Sequence, residues 1–369
     1  MPSVAVKIIW SLIILSVFVL AGLFLWPRHL TLNESFSWLA KYDFWSIDPP
    51  TGHLVQSPVV SPEPLKLLFF GDLMLDRHVG DKLAGRNLGY LLDGLATTSV
   101  WDLTRYDLVS VNLEGAVTKD GGHYSPDNLY DFAFSPSRIS ELKGYGFNFI
   151  NLANNHFLDQ GKRGVQETRQ ALTDLEFDYS GDIDAQVSSS SLAILDRGGQ
   201  KIVLIGLSMV YQPFDQTAAQ ELIKDAQSSA DLVVVNIHWG TEYQHQFNKT
   251  QQAVGRALVD AGADLVIGHH PHVVQGLEIY QNRPIFYSLG NFVFDQYFSP
   301  DTQTGLAVDF TISPTETVLG FFPLQSKASV VSLMTGSDKD NFFEQFIDWS
   351  SLDENQVSEV KSGRLVISR

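Results

Sequence analysis

Short apolar runs that end abruptly in polar side chains recur along this chain. "LKLLFFGD", "DLVSVNLEG", "FNFINLANNH", "DLVVVNIHWG" and "ADLVIGHHPH" all have this form. Near-continuous apolar runs are what strands buried on both faces require, because covering helices leave no solvent-facing row. Segments between them, such as Gly161 to Leu175 and Lys249 to Ala261, carry apolar residues at helical spacing. Runs alternating with helices predict an α/β layout. After Val274 the spacing tightens into "LEIYQNRPIFYSLGNFVF", "GLAVDFTI" and "GFFPLQSKASVVSLM". These read as hairpin-linked strands and predict a second, more antiparallel sheet.

The start of the chain has a different pattern. Ile8 to Trp26 is apolar apart from two serines and a glycine, with Lys7 before it and Arg28 after it. That is close to the roughly 20 residues that cross a bilayer as a helix. The run ends in bulky Leu25 and Trp26, with no small-residue cleavage site, so residues 1–27 are expected to be an uncleaved transmembrane anchor rather than a signal peptide. Residues 28–64 carry "DPPTG" and "SPVVSPEP" and read as a proline-rich stalk. The folded domain is expected over residues 65–325, with 326–369 a C-terminal strand and helix extension of it. The Lys/Arg balance across the anchor is slight, and a body outside the membrane is an expectation.

Composition narrows the function classes. The 369 residues are 44% hydrophobic, enough to bury a proper core. A formal net charge of -17 argues against nucleic-acid binding, which needs Lys and Arg in excess, so an anionic substrate would have to be held locally by a metal or a few cations. With no cysteine there is no disulfide framework and no thiolate nucleophile.

In open α/β sheets ligands bind at the carboxyl ends of the strands. The polar residues ending the runs would face that crevice: Asp72, Glu114, Asn155 with His156, His238, and His270 with His272. Taken singly, Asp72 could cap a turn, Glu114 could be solvated and His238 could be a hydrogen-bonded core residue. Their recurrence at successive strand ends predicts one shared site. Carboxylate, carboxamide and imidazole donors suit Mn, Fe or Zn, one or two ions. "GHHPH" offers His269 as well, but His270 and His272 are one residue apart and point the same way in an extended segment. His29 and His53 in the stalk, His123 and His245 are expected to be exposed. Arg77 could hold a substrate carboxylate by bidentate bonding or form a structural salt bridge. Glu242 could position His238 or a substrate amine. Neither a serine-hydrolase elbow nor a GxxxxGK loop is present.

"FFGDLMLDR", "VNLEGAVT", "INLANNHFLDQG", "NIHWGTEY", "GHHPHVVQGLEIY" and "IFYSLGNFVFDQ" resemble, in order and nearly in wording, the CapA-type (PgsA) proteins of poly-γ-glutamate capsule synthesis. The likeness covers roughly residues 65 to 310. That family is similar to the calcineurin-like metallophosphoesterases. The resemblance implies a metallophosphoesterase-like two-sheet β-sandwich flanked by helices, behind an N-terminal transmembrane helix. It also implies Asp72 as the first metal ligand, Glu114 as bridging ligand, Asn155 as ligand beside a proton-donating or oxyanion-stabilising His156, and His238, His270 and His272 as the remaining ligands. Two departures stand out. Met74 occupies the position where the phosphoesterases have a His, with His78 a candidate replacement, and Glu stands for Asp at position 114. The resemblance implies a component of poly-γ-glutamate synthesis or export that works with the polymer, with other membrane synthase subunits and at the membrane. A surface phosphoesterase and a non-enzymatic scaffold of the synthase are the alternatives.

Overall fold

The computed structural model describes residues 63–96, 102–125 and 130–369. The expected anchor, almost all of the stalk, and His29 and His53 lie outside them. Among the described residues no helix is long and apolar enough to cross a membrane. In chain order the elements are β1 (Leu65–Leu73), α1 (Arg77–Lys82), α2 (Gly89–Ala96), β2 (Leu108–Leu113), β3 (Ala116–Val117), β4 (Ala133–Phe134), α3 (Pro136–Gly144), β5 (Phe149–Asn151), α4 (Gly161–Asp174), β6 (Asp178–Ser180), β7 (Leu192–Arg197) and β8 (Gln200–Ser208). They continue with α5 (Gln216–Gln227), β9 (Leu232–His238), α6 (Lys249–Asp260), β10 (Leu265–His269), β11 (Val274–Tyr280), β12 (Arg283–Leu289), β13 (Asn291–Val293), β14 (Thr304–Ile312), β15 (Glu316–Lys327), β16 (Val330–Leu333), α7 (Gly336–Trp349), α8 (Glu354–Lys361) and β17 (Arg364–Ser368).

The strands form two large sheets. One runs β16-β15-β14-β1-β2-β5-β6, with β13 on β1 and β17 on β15; the other runs β11-β12-β10-β9-β8-β7. Alternation along β1 explains why they stack. Leu65, Leu67 and Phe69 share a core with Leu204 of β8, Val234 of β9 and Ile267 of β10, so this layer lies between the sheets. Leu68 and Phe70 point the other way, into a core with Leu91 of α2 and Ile139 of α3. On the outer face of the second sheet Val203, Val235 and Val266 pack with Ile223 of α5 and Leu258 of α6. The result is a mixed α/β sandwich with helices on both outer faces. Each fully buried Leu or Phe contributes about 1.5–3 kcal/mol of transfer free energy, so the shared layer fixes the stack.

The helices begin where their caps allow. Asn248 and Gln251 form a reciprocal capping box at α6, and Asp215 accepts from the Ala218 N–H at α5.

The antiparallel strands after Val274 do not form a sheet of their own, contrary to the sequence expectation. β11 and β12 extend the second sheet beside β10, while β14 to β17 extend the first beside β1. β1 is apolar on both faces and needs a partner on each edge. β2 supplies the parallel one, and β14 the antiparallel one from Leu65↔Ile312 to Phe69↔Val308.

Two glycines let backbones meet near the strand ends. A Cβ at Gly71 would lie 1.9 Å from the Gly290 carbonyl oxygen, and one at Gly268 2.0 Å from that of Tyr287. At Gly71 the register between β1 and β2 shifts, a bulge that re-aims the next side chain, Asp72.

Candidate metal centre

Strand register assembles the site. In the first sheet Asp72 pairs with Asn291 on one side and Asn112 on the other, and Asn112 pairs with Asn151, giving a polar row across four strands. In the second sheet Ser208, His238 and His269 form the corresponding row. All but Asn291, which opens β13, lie at or next to the carboxyl ends of their strands, and Glu114 and the "HPH" turn sit just beyond.

Asp72, Glu114 and His238 each present a ligand atom within 4.8 Å of the others, and all three are buried. Glu242, His270 and His272 form a second such group, with Glu242 exposed. The two groups adjoin: His272 Nδ1 is 3.5 Å from Asp72 Oδ2, and its Nε2 is 4.0 Å from Glu114 Oε2. Asn155 joins them through its Oδ1, 2.8 Å from His238 Nε2. The structure therefore brings Asp72, Glu114, Asn155, His238, His270 and His272 into one place. The "HPH" turn is held by an N–H of His270 donating to Asp72 and by Tyr243 N–H donating to the Pro271 carbonyl at 2.8 Å. His270 and His272 sit at φ 97° and 57°, a backbone region that side chains other than glycine seldom occupy.

Burial sets the charge states. It works to raise the Asp72 carboxyl, but the adjacent His269, with His272 and the Asn112 hydrogen bond, holds it below the usual range. Burial, and then the charge of Asp72, push Glu114 well above the usual carboxylate range. Burial and the other histidines keep His238 far below the ordinary imidazole value, while burial outweighs Asp72 to bring His270 and His272 down to about 4. The imidazoles are thus neutral near pH 7, the form that donates a lone pair. Glu114 Oε2 and His270 Nδ1 are buried with no hydrogen-bond partner among the described residues, as atoms reserved for a ligand would be. These acidic and imidazole groups could hold a divalent metal ion.

Asn112, absent from the sequence-based candidates, is the hub of the network. Its Nδ2 donates to Asp72 Oδ1 at 2.8 Å and lies 3.3 Å from His238 Nδ1, while its Oδ1 accepts from Asn151 Nδ2 at 2.8 Å and Asn154 Nδ2 at 3.3 Å. An asparagine inside the apolar run "LVSVNL" was the available signal. His269, set aside on sequence in favour of its neighbours, is buried, with Nδ1 3.3 Å from Asp72 Oδ1.

The centre opens into a cleft of about 450 Å3. His156 lines it, with Nδ1 2.8 Å from Asp159 Oδ2 and its ring 4.3 Å from that of Phe132. Arg77 lines it too, but its Nε donates to Asp295 Oδ2 at 3.0 Å and its Nη2 to Asp295 Oδ1, so the salt bridge foreseen as one reading is formed. Glu242 comes together with His270 and His272.

Other histidines depart from expectation. His78 is exposed and 3.4 Å from Asp81, so it does not replace the missing phosphoesterase histidine. Met74 is itself core, with its sulfur accepting from the Asp76 N–H at 3.0 Å. His123 is exposed, as expected, and His245 is half-buried. The first lies between Asp76 and Asp131; the second stacks on Trp349 at 3.9 Å.

Residues 66–296 match the family described as "Bacterial capsule synthesis protein PGA_cap". "Capsule biosynthesis protein CapA" of Bacillus anthracis is 30% identical over 303 residues, 77% of this chain and 73% of that protein. "PGA biosynthesis protein CapA" of Bacillus subtilis (strain 168) is 32% identical over 244 residues, covering 61% of this chain and 64% of its own length. A "Probable polyglutamine synthesis accessory protein" of Mycobacterium tuberculosis is 24% identical over 221 residues, 53% of this chain and 58% of that protein. A family match over well more than half of the sequence, with a relative at this identity and coverage, means that the chain belongs to the CapA-type bacterial capsule synthesis protein family.

Proposed function

We propose that the chain takes part in the synthesis or export of a poly-γ-glutamate capsule, using a metal-dependent, metallophosphoesterase-like centre that acts on the polymer. The observation carrying this reading is the convergence of Asp72, Glu114, His238, His270 and His272, with unpartnered buried donor atoms, beside an open cleft that His272 and Asn155 line. The names of its relatives support the polymer. The apolar segment Ile8 to Trp26 supports an N-terminal anchor, with the body outside the membrane and other synthase subunits as partners.

The donor set fits Mn, Fe or Zn, with Asp72, Glu114, Asn155, His238, His270 and His272 as ligands. Such an ion supplies Lewis acidity toward a carbonyl oxygen. The chain's own side chains do the rest. Asp159 accepts from His156 Nδ1–H, which fixes the tautomer and directs Nε2 as the atom that moves a proton at the reacting group. Phe132 covers one face of that ring and limits water access.

The test is metal content and polymer chain length, measured on the purified full-length protein beside His270→Ala/His272→Ala. Bound metal and shortening or transfer of γ-linked polyglutamate, both lost in the variant, is the expected result. Cleavage of a generic phosphodiester with the polymer untouched would replace this reading by a surface phosphoesterase. Normal capsule in cells carrying His156→Ala and the double variant would replace it by a scaffold.

A further inference from the structure

Four of the five exposed aromatic side chains among the described residues line the one cleft above the metal centre. Tyr130, Tyr211, Tyr243 and Phe298 are 64%, 70%, 41% and 67% exposed, and only Tyr90 lies elsewhere. Exposed aromatic rings scattered singly need no explanation, but a concentration around one cavity does. The rings are arranged rather than loose: Phe298 meets Tyr243 edge-on at 5.2 Å, Tyr243 lies over His272 at 6.2 Å, and the Tyr211 hydroxyl accepts from Asn155 Nδ2 at 3.2 Å.

The charge of the lining narrows what the rings face. Its acidic members are Glu242 and Asp295, and its one lysine or arginine is Arg77, whose guanidinium is already paired with Asp295. Glu242 is left exposed at the edge with no lysine or arginine in the lining to balance it. An anionic group resting on the rim would meet no free cation there and would be repelled. A cation would meet a carboxylate and the negative faces of several rings. The dimensions agree: a sphere of the cleft's volume has a radius of about 4.8 Å, within the about 6 Å over which a ring face attracts a cation.

We propose that the aromatic rim of this cleft, with Glu242, is a binding site for a primary ammonium group of the substrate, such as the terminal amine of an amino-acid chain. This deepens the functional reading and rests on the cleft being the reacting site. It assigns the cationic end of the ligand to the rim, and leaves its carbonyl or carboxylate for the floor.

The experiment titrates the purified full-length chain with n-butylammonium, n-butanol and n-butyrate, probes of similar size with positive, no and negative charge, followed by NMR or calorimetry. Preference for n-butylammonium over n-butanol by about ten-fold or more is expected, since several rings and a carboxylate act together. Phe298→Leu and Tyr130→Leu keep apolar volume but remove the ring face. Each is expected to weaken n-butylammonium by about two- to five-fold, the range one exposed ring supplies, while leaving n-butanol unchanged and with Phe298→Tyr retaining binding. Equal binding of amine and alcohol, or stronger binding of n-butyrate that Phe298→Leu and Tyr130→Leu weaken, overturns the proposal. Such a result with metal-dependent polymer activity intact leaves the proposed function standing. Amine selectivity without polymer activity does the reverse.

Discussion

Asn112→Asp replaces the hub amide by a carboxyl of nearly the same shape and turns its donor toward Asp72 into an acceptor. Ionised, the new carboxylate would face Asp72 at the 2.8 Å of the present hydrogen bond. At an effective dielectric constant of about 20, repulsion at that distance is about 6 kcal/mol. Holding the group protonated instead costs about 1.36 kcal/mol for each pH unit above its free value of about 3.9, hence about 4 kcal/mol at pH 7 and about 1.5 kcal/mol at pH 5. Proton uptake is the smaller cost and wins. The folded-state pKa of the new group is therefore raised, and the stability of the variant relative to the parent falls as pH rises, by about 2.7 kcal/mol from pH 5 to pH 7. Asn112→Ala carries no such slope. It strands buried partners and costs about 1–3 kcal/mol for each, at either pH. The assay is denaturant unfolding of the chelator-treated protein at pH 5, 6 and 7, where the titration of the native histidines is common to parent and variant and cancels. An Asn112→Asp deficit that is the same at pH 5 and pH 7 refutes the placement of its side chain against Asp72.

Two further outcomes follow from the site's charge states. Burial depresses His270 and His272 from 6.5 to about 4, so in metal-free protein their contribution is present above pH 6.5 and lost as pH falls toward 4. Denaturation across that range should show an acid limb that shrinks in His270→Ala/His272→Ala, and an unchanged limb would count against the buried neutral imidazoles. Burial and Asp72 raise Glu114, so a cation bound there must displace its proton. Calorimetric titration with Mn2+ in two buffers of different ionisation heat should register proton release that Glu114→Gln removes, and equal release in both proteins would contradict the raised carboxyl.

How much could be read from the sequence depended on the kind of signal. Strand ends were legible because an apolar run ending at Asp72 or His238 marks both the strand and the crevice. The helices over residues 161–174 and 249–260 came from their apolar spacing. Sheet membership was not legible, because local pattern does not say that β1 takes β14 on its open edge. Asn112 was hidden for a related reason. One polar residue within "LVSVNL" looks like an interruption until strand register sets it beside Asp72 and Asn151. His245 looked solvated because its partner, Trp349, is far along the chain.

The turn at Pro271 bears on why histidines stand there at all. L-residues held at left-handed backbone angles cost about 1–2 kcal/mol each relative to right-handed ones, a strain that glycine escapes. His270 and His272 both adopt such angles, at φ 97° and 57°. A sequence shaped by folding stability alone would favour glycine at both positions. Keeping imidazoles there, neutral and turned inward, is a standing conformational sacrifice that makes sense only where those two side chains have chemical work to do.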